Sequence, residues 1–429
     1  MTRAFYYSGC FAFALLAVSV YGAPVSAAIV KGPYLENVGP DRITVSWESD
    51  RTTDGRLRYG LGDLSQEVAV LEGTGRQSIT LTGLQAGKTY FYRLELYDGA
   101  FSPTLTFSTA PAGPEPFHFL VVGDTRTDHP MHREVVGLIG DRAPDFYVNT
   151  GDIVEDGDDS DMWQIFFDIE HAPMSQMVMW PVMGNHDHRT NTLYDTFFQV
   201  DSDSGTSRYY SFDYSNCHFV VLCSDEDFSP TSAQYQWIDN DLSAARSNPA
   251  VEHIFVFYHR PPFSSGWHGS EDMLMAEYLH PLVMKHGVEI VFNGHDHDYE
   301  RSTVDGIFYI VTGGGGAPYP PLFEEDQPPL PDQNPHRQVF FGVFHVVDCA
   351  VAGEEVRCEM IDLTRTVRDT FGVNLVENPE NQQPQCEPCE SGCTSAGRAG
   401  SLLMFFILAG AIWWRRKTYG VGGSHISFS

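Results

Sequence analysis

A chain of 429 residues with 42% hydrophobic content can bury two cores and still carry targeting segments. Its 57 acidic against 26 basic side chains give a formal charge of −31. That balance speaks against nucleic acid, and against an anionic membrane surface, as partners of the folded part, because both carry phosphates that only a basic patch would attract.

Arg3 precedes an apolar run over residues 11–20, and Val25-Ser26-Ala27 offers small residues for cleavage, so residues 1–27 read as a signal peptide. The mature chain then begins near Ala28 and is exported to a periplasmic, extracellular or cell-surface location, where disulfides persist. Residues 28–110 read as all-β. Ile43, Val45 and Trp47 alternate with Thr44, Ser46 and Glu48, and Tyr90, Tyr92, Leu94 and Leu96 alternate with Phe91, Arg93 and Glu95. Each strand so built has one apolar and one polar face. Asp54-Gly55, Leu61-Gly62-Asp63, Gln85-Ala86-Gly87 and Asp98-Gly99 punctuate the strands. Trp47 as a core plug, with Leu84, Gly87 and Tyr90, resembles a fibronectin type III β-sandwich with its tyrosine corner. It carries no catalytic constellation, so it reads as a spacer and a partner for the next domain.

Residues 111–116, with three prolines and a glycine, form a linker. An α/β domain is expected over residues 117–364, with helices over 131–139 and 234–245 and antiparallel closing strands over 338–347 and 355–363. Cys349 and Cys358 flank the turn Ala352-Gly353-Glu354, an arrangement suited to a cross-strand disulfide. Cys217 and Cys223 lie at the two ends of one strand, too far apart to pair with each other. Residues 365–395 read as a polar linker bearing Cys386, Cys389 and Cys393, residues 396–417 as a hydrophobic segment closed by Arg415-Arg416-Lys417, and residues 418–429 as a short tail. The apolar part falls short of the ~20 residues of a stable span, yet Trp413-Trp414 and the basic end match a membrane anchor. The whole resembles the tripartite sorting tails of some bacterial surface proteins, which implies membrane attachment before any processing.

Gly123-Asp124, Gly151-Asp152, Gly184-Asn185-His186-Asp187, Tyr258-His259-Arg260 and Asn293-Gly294-His295-Asp296-His297 carry the chemistry. Each follows a short apolar run that reads as a buried strand. Carboxylates, an amide and imidazoles would therefore gather at the same ends of several strands, where open α/β sheets place their sites. Those donors suit two divalent or trivalent cations. Asp152, with two oxygens, is the natural bridge; Asp124 completes the oxygen side of one metal, Asn185 supplies an amide oxygen to the other, and His259, His295 and His297 add nitrogens.

The order Gly-Asp, Gly-Asp, Gly-Asn-His-Asp, His, Gly-His-x-His resembles the calcineurin-like metallophosphoesterases, and the preceding sandwich narrows this to their purple acid phosphatase-like branch. The expected architecture is a fibronectin III-like β-sandwich followed by an αββα-sandwich. By this resemblance Asp124, Asp152 and His297 hold the first metal, and Asp152, Asn185, His259 and His295 the second. His186 is the general acid, oriented by Asp187, and His268 in Gly266-Trp267-His268-Gly269 contacts substrate. The implied reaction is hydrolysis of a small phosphate monoester by metal-bound hydroxide. A phosphodiesterase or nucleotidase of the same superfamily, or a non-catalytic surface binding protein, are the alternatives.

Two departures stand out. Glu155 occupies the place, three residues after the bridging aspartate, where purple acid phosphatases keep the tyrosine that colours them. Asp124-Thr125-Arg126 puts arginine where many other members have histidine. The first metal then leans on Glu155, on water, or on His129 or His132, which leaves Fe, Zn or Mn open and predicts no purple charge-transfer band. Arg126 suits a phosphate as a bidentate fork, and a surface ion pair is the competing role. Gly313-Gly314-Gly315-Gly316 reads as a tight turn, and Trp267, Tyr299 and Tyr319 as cleft walls or core.

Overall fold

Period-two alternation builds one long antiparallel hairpin from strands Arg42–Gly60 and Gln66–Thr82. The computed structural model describes residues 28–97, 99–189, 192–270, 275–319 and 326–375. The signal-peptide and tail readings lie outside these residues. Strand Ile29–Glu36 pairs with the first half of the hairpin's leading strand, at residues 44–49. Strand Thr89–Leu96, itself flanked by Leu105–Ser108, pairs with the second half, at residues 55–60. Asp54-Gly55 is therefore not a turn. The strand continues through it, and register shifts between Ser49 and Gly55 let the two halves of one strand pair with different partners. Trp47, Leu57, Tyr92 and Leu94 are buried in the core of these strands. The hydroxyl of Tyr90 accepts a hydrogen bond from the Gln85 amide at 2.8 Å.

On the polar face of residues 42–49, Thr44 and Ser46 are buried. Ser46 donates to Glu36, and Arg76 binds both Glu36 and the Phe197 carbonyl. The Tyr34 hydroxyl donates to the same carbonyl at 2.8 Å, and the Gln199 amide donates to Glu36 at 2.9 Å. Tyr92 reaches the Ser175 carbonyl at 2.7 Å. This polar face is thus part of a seam against residues 197–199 of the α/β part.

Beyond the linker, two mixed sheets face each other. One runs Val367–Val373, Glu355–Asp362, His345–Ala352, Phe117–Val122, Phe146–Asn149, Val178–Pro181. The other runs Arg337–Phe341, Tyr299–Val304, Ile307–Thr312, Ile290–Asn293, His253–Phe257, Cys217–Val221, Tyr210–Tyr214. Alternation decides what each face meets. Phe119 turns inward onto Phe146, Phe219 and Phe255, with ring centroids 5.2–5.5 Å apart. Its neighbours Leu120 and Val122 turn outward under helices His129–Arg142 and Ser160–Met174. Helices Ala233–Ser247 and His280–His286 cover the second sheet in the same way through Ile238, Leu242, Leu282 and Val283. The result is the αββα arrangement.

Local rules place the helix ends. Asp128, Asp159 and Ser232 are N-caps whose side chains accept from backbone N–H groups in the first turn. The acidic run at residues 156–161 thus supplies a cap as well as a solvated loop. Cys349 and Cys358 face each other across antiparallel strands and are disulfide-bonded, while Cys217 and Cys223 are free and buried. The first sheet continues past Thr364 with Val367–Val373, which pairs with Glu355–Asp362. Among the described residues no helix is long and apolar enough to cross a membrane.

Candidate active site

Parallel pairing of Phe117–Val122, Phe146–Asn149 and Val178–Pro181, and of Cys217–Val221, His253–Phe257, Ile290–Asn293 and Ile307–Thr312, brings their carboxyl ends to one edge. Asp124, Asp152, Asn185, His259 and His295 follow these ends within a few residues. The loops are laced to one another. The Asp124 amide donates to the Gly151 carbonyl at 2.9 Å, the Gly294 amide to the His259 carbonyl at 2.9 Å, and the His295 amide to Asp124 Oδ2 at 2.8 Å. Gly184 is required by this crowding, since a Cβ there would run into the Asp152 amide and Oδ1. Asp124, Asp152 and His295 have φ of +56°, +53° and +73°, backbone states that side chains rarely adopt and that cluster at functional sites.

The ligand atoms of Asp152, His259 and His295 lie within 4.8 Å of one another, and all three residues are buried. His259 Nδ1 donates to the Thr150 carbonyl at 2.9 Å, which turns Nε2 toward Asp152 Oδ1 and Asn185 Oδ1, each at 3.2 Å. A carbonyl that fixes the tautomer and leaves the other nitrogen facing hard oxygens is the usual support of a metal-binding histidine. Burial works against charge on His259, yet Asp152 and Asp124 outweigh it and raise its pKa to about 10. Burial likewise opposes ionisation of Asp152, and His259, His186 and Arg126 overcome it, holding that carboxyl below its ordinary range. With the amide oxygen of Asn185, this set fits a divalent cation.

The other three expected ligands are arranged differently. Asp124 is fully buried, its Oδ1 has no hydrogen-bond partner, and burial pushes its carboxyl well above the usual range. His297 Nδ1 donates to the Pro318 carbonyl at 3.0 Å, and Nε2 lies 3.7 Å from Asp124 Oδ1. Arg126 stands among them: Nε is 3.1 Å from Asp152 Oδ2, Nη2 is 3.2 Å from His297 Nε2, and Nη1 is 2.8 Å from Glu155 Oε2. Its side chain is only 12% exposed, so it is no surface arginine. Glu155 is taken up by Arg126 and by the Thr127 hydroxyl at 2.5 Å, on the rim of the site. His132 is paired with buried Glu170 at 2.8 Å and is turned away from it.

His186 Nδ1 donates to the Glu155 carbonyl at 2.7 Å, and Nε2 lies 3.9 Å from Asp152 Oδ2. Asp187 does not orient this ring. Its buried carboxylate accepts from the amides of Ile153, Val154 and Gly184 at 2.9–3.2 Å, pinning the Asp152 loop to the Asn185 loop. Three converging N–H groups are a stronger attractor for a buried carboxylate than one imidazole. His268 stacks on His295 with centroids 4.1 Å apart, and Asp296 accepts from its amide at 2.7 Å and its Nδ1 at 3.1 Å. Asp296 thus positions His268, a role unmarked in the sequence beyond its place between two histidines. Arg260 carries no sequence signal either: it bonds Asp225 at 3.0 Å and reaches His295 Nε2 at 3.2 Å. Trp267 is exposed beside His268, whereas Tyr299 is core.

Residues 117–299 match the family described as calcineurin-like phosphoesterase. Purple acid phosphatase 22 of Arabidopsis thaliana is 29% identical over 58% of this chain and 60% of its own length. The probable purple acid phosphatase 20 of the same plant is 25% identical over 72% of this chain and 79% of its own. The chain thus spans about 60% of the length of the first of these relatives. A purple acid phosphatase from yellow lupin (Lupinus luteus) seeds shares the fold, with a TM-score of 0.67 at 17% identity over 80% of this chain and 74% of that one.

Proposed function

We propose that this calcineurin-like metallophosphoesterase, a metal-dependent phosphohydrolase by class with purple acid phosphatases among its relatives, hydrolyses small phosphate monoesters outside the cytoplasm. Its family uses divalent metal ions, typically two. The observation that carries the reading is the convergence of Asp152, His259 and His295 ligand atoms within 4.8 Å, next to Asn185 and His186. A bound divalent cation supplies Lewis-acid polarisation of the phosphoryl group and a more acidic water.

The chain's own groups do the rest. His186, held through Nδ1 by the Glu155 carbonyl, presents Nε2 to the cleft and delivers a proton to the leaving alkoxide. His268, fixed by Asp296, offers the phosphoryl oxygens a hydrogen-bond donor through its other ring nitrogen, and Arg126, held by Asp152, Glu155 and His297, lends them its positive charge. The net charge of −31 favours small esters over polyanions.

Two further readings belong here. The N-terminal sandwich is fibronectin type III-like, supported by its strand pairing and by the Tyr90 to Gln85 hydrogen bond. Export is supported by the N-terminal apolar run and by the Cys349–Cys358 disulfide. The test of function is turnover of a chromogenic monoester and a chromogenic diester by purified protein loaded in turn with Mn, Zn and Fe, with Asp152→Asn as the blank. Monoester turnover lost in the blank supports the reading, and preference for the diester moves it to the phosphodiesterase branch. Silence with every metal on folded protein favours a binding role for the sandwich.

A further inference from the structure

We propose that this centre holds one divalent cation, at Asp152, Asn185, His259 and His295, and that the Arg126 guanidinium takes the place of a second one. The inference rests on the phosphohydrolase reading only for the identity of the ligand set.

The two positions are built unequally. Among the described residues, Asp152, His259 and His295 form the one group of three His, Cys, Asp or Glu side chains with ligand atoms within 4.8 Å of one another. The set Asp124, Asp152 and His297 does not meet that condition. Its outward-facing acceptors are engaged by one side chain: Arg126 Nε approaches Asp152 Oδ2 at 3.1 Å, and Arg126 Nη2 approaches His297 Nε2 at 3.2 Å. His297 has already donated Nδ1–H to the Pro318 carbonyl, so the lone pair on Nε2 is the one directed at the guanidinium. A cation bound to those two atoms at about 2.0–2.2 Å would need the gap that the guanidinium fills; Arg260 Nη1 likewise meets His295 Nε2 at 3.2 Å, but Arg126 spans two ligand atoms of one position.

Arg126 is not free to swing clear at low cost. Its Nη1 is held at 2.8 Å by Glu155 Oε2 and at 3.1 Å by Thr127 Oγ1, and the side chain is nearly buried. Two of the three side chains expected as replacement ligands, all but His129, are committed elsewhere. Glu155, three residues after Asp152, is committed to Arg126 and Thr127, and His132 to Glu170. Charge points the same way. The carboxylates facing the guanidinium are Asp152, Asp124 and Glu155, and one dication plus one arginine neutralises three of them. A second dication would stand beside a permanently charged group. Asp124 Oδ1 is the one ligand atom of this position that the arginine does not reach, and it keeps the alternative testable.

In this arrangement Asp152 still bridges, with Oδ1 toward His259 and the cation position and Oδ2 toward Arg126. The guanidinium offers the phosphoryl group a fixed positive charge, with neither redox chemistry nor an exchangeable ligand.

The test is metal stoichiometry of the full chain, stripped and reloaded with Mn²⁺, read by elemental analysis per protein and by electron paramagnetic resonance. We expect about one Mn²⁺ per chain and the six-line signal of an isolated ion in the wild type. Arg126→Ala should rise to about two, with the broadened signal of a coupled pair. His297→Ala should stay at one and His259→Ala should fall to none, with circular dichroism confirming each fold. Arg126→Gln, which keeps much of the side chain's bulk without its charge, serves as the second variant should Arg126→Ala fail to fold. Two coupled ions in the wild type overturn the proposal, as does an Arg126 variant that remains at one. One ion without phosphoester turnover would sink the functional reading and leave this one standing, while two ions with turnover would do the reverse.

Discussion

His259 Nε2 lies 3.2 Å from Asn185 Oδ1, although 74 residues separate them. The contact joins the loops after two strands of different sheets, so the cation position sits in the seam of the sandwich. Either residue alone is an ordinary polar group on a turn; together with Asp152 they make a cradle. His259→Ala should reduce metal affinity by more than the ~100-fold typical of supporting residues, and turnover should fall with it. Isothermal titration of stripped protein with Zn²⁺ checks this, and unchanged affinity would remove His259 from the ligand set.

His186 and Asp187 are adjacent in sequence and do different things. His186→Ala should lower kcat by ~10²–10⁴-fold with metal content and melting temperature unchanged. Asp187→Asn replaces an acceptor facing backbone amides by a group that is half donor, and should cost about 1–3 kcal/mol of stability. Paired melting and pH–rate curves separate the two. If Asp187→Asn shifted the pH–rate profile without loss of stability, the sequence expectation that it tunes His186 would return.

Arg76 and Glu36 form a buried pair in the seam between the N-terminal strands and the α/β part, each side chain 8% exposed. Arg76→Ala leaves the Glu36 carboxylate buried with only the Ser46 hydroxyl and Gln199 amide for support, and should destabilise the protein by roughly 3–5 kcal/mol. Replacing both partners with apolar residues, as Arg76→Met with Glu36→Leu, should recover most of that loss. Urea unfolding of the three proteins measures it, and equal stability of wild type and Arg76→Ala would show that the seam contributes nothing.

His218 gives a pH signature away from the site. Burial opposes its charge, but Asp213 at 2.6 Å and Asp241 at 2.8 Å overcome it and raise the pKa to about 9. Because the folded value exceeds the unfolded ~6.5, this stabilisation is complete below pH ~6.5 and is lost as pH rises through about 9. Its upper bound is about 3 kcal/mol. His218→Gln should therefore melt well below the wild type at pH 6 and close to it at pH 10. Parallel melting differences at both values would contradict the assignment.

Alternation and turn chemistry are local, which is why the buried strands, the helix around residues 234–245 and the Cys349–Cys358 bridge are legible in the residues alone. The order of Gly-Asp, Asn-His and His-x-His runs likewise singles out Asp152, His259 and His295, since chemistry at strand ends needs those residue types there. What a side chain touches is not local. The Asp187 carboxylate goes to three amides rather than to its neighbour's ring, and Glu155 to Arg126 rather than to a metal position. Asp54-Gly55, a turn signal by composition, stays within a strand because paired neighbours on both sides outweigh its preference. The sequence by itself determined the donor set and the order in which the sheet edge presents it. Only the tertiary structure decided how those donors pair, because burial forces each charge onto whichever partner the packed loops bring within hydrogen-bond reach.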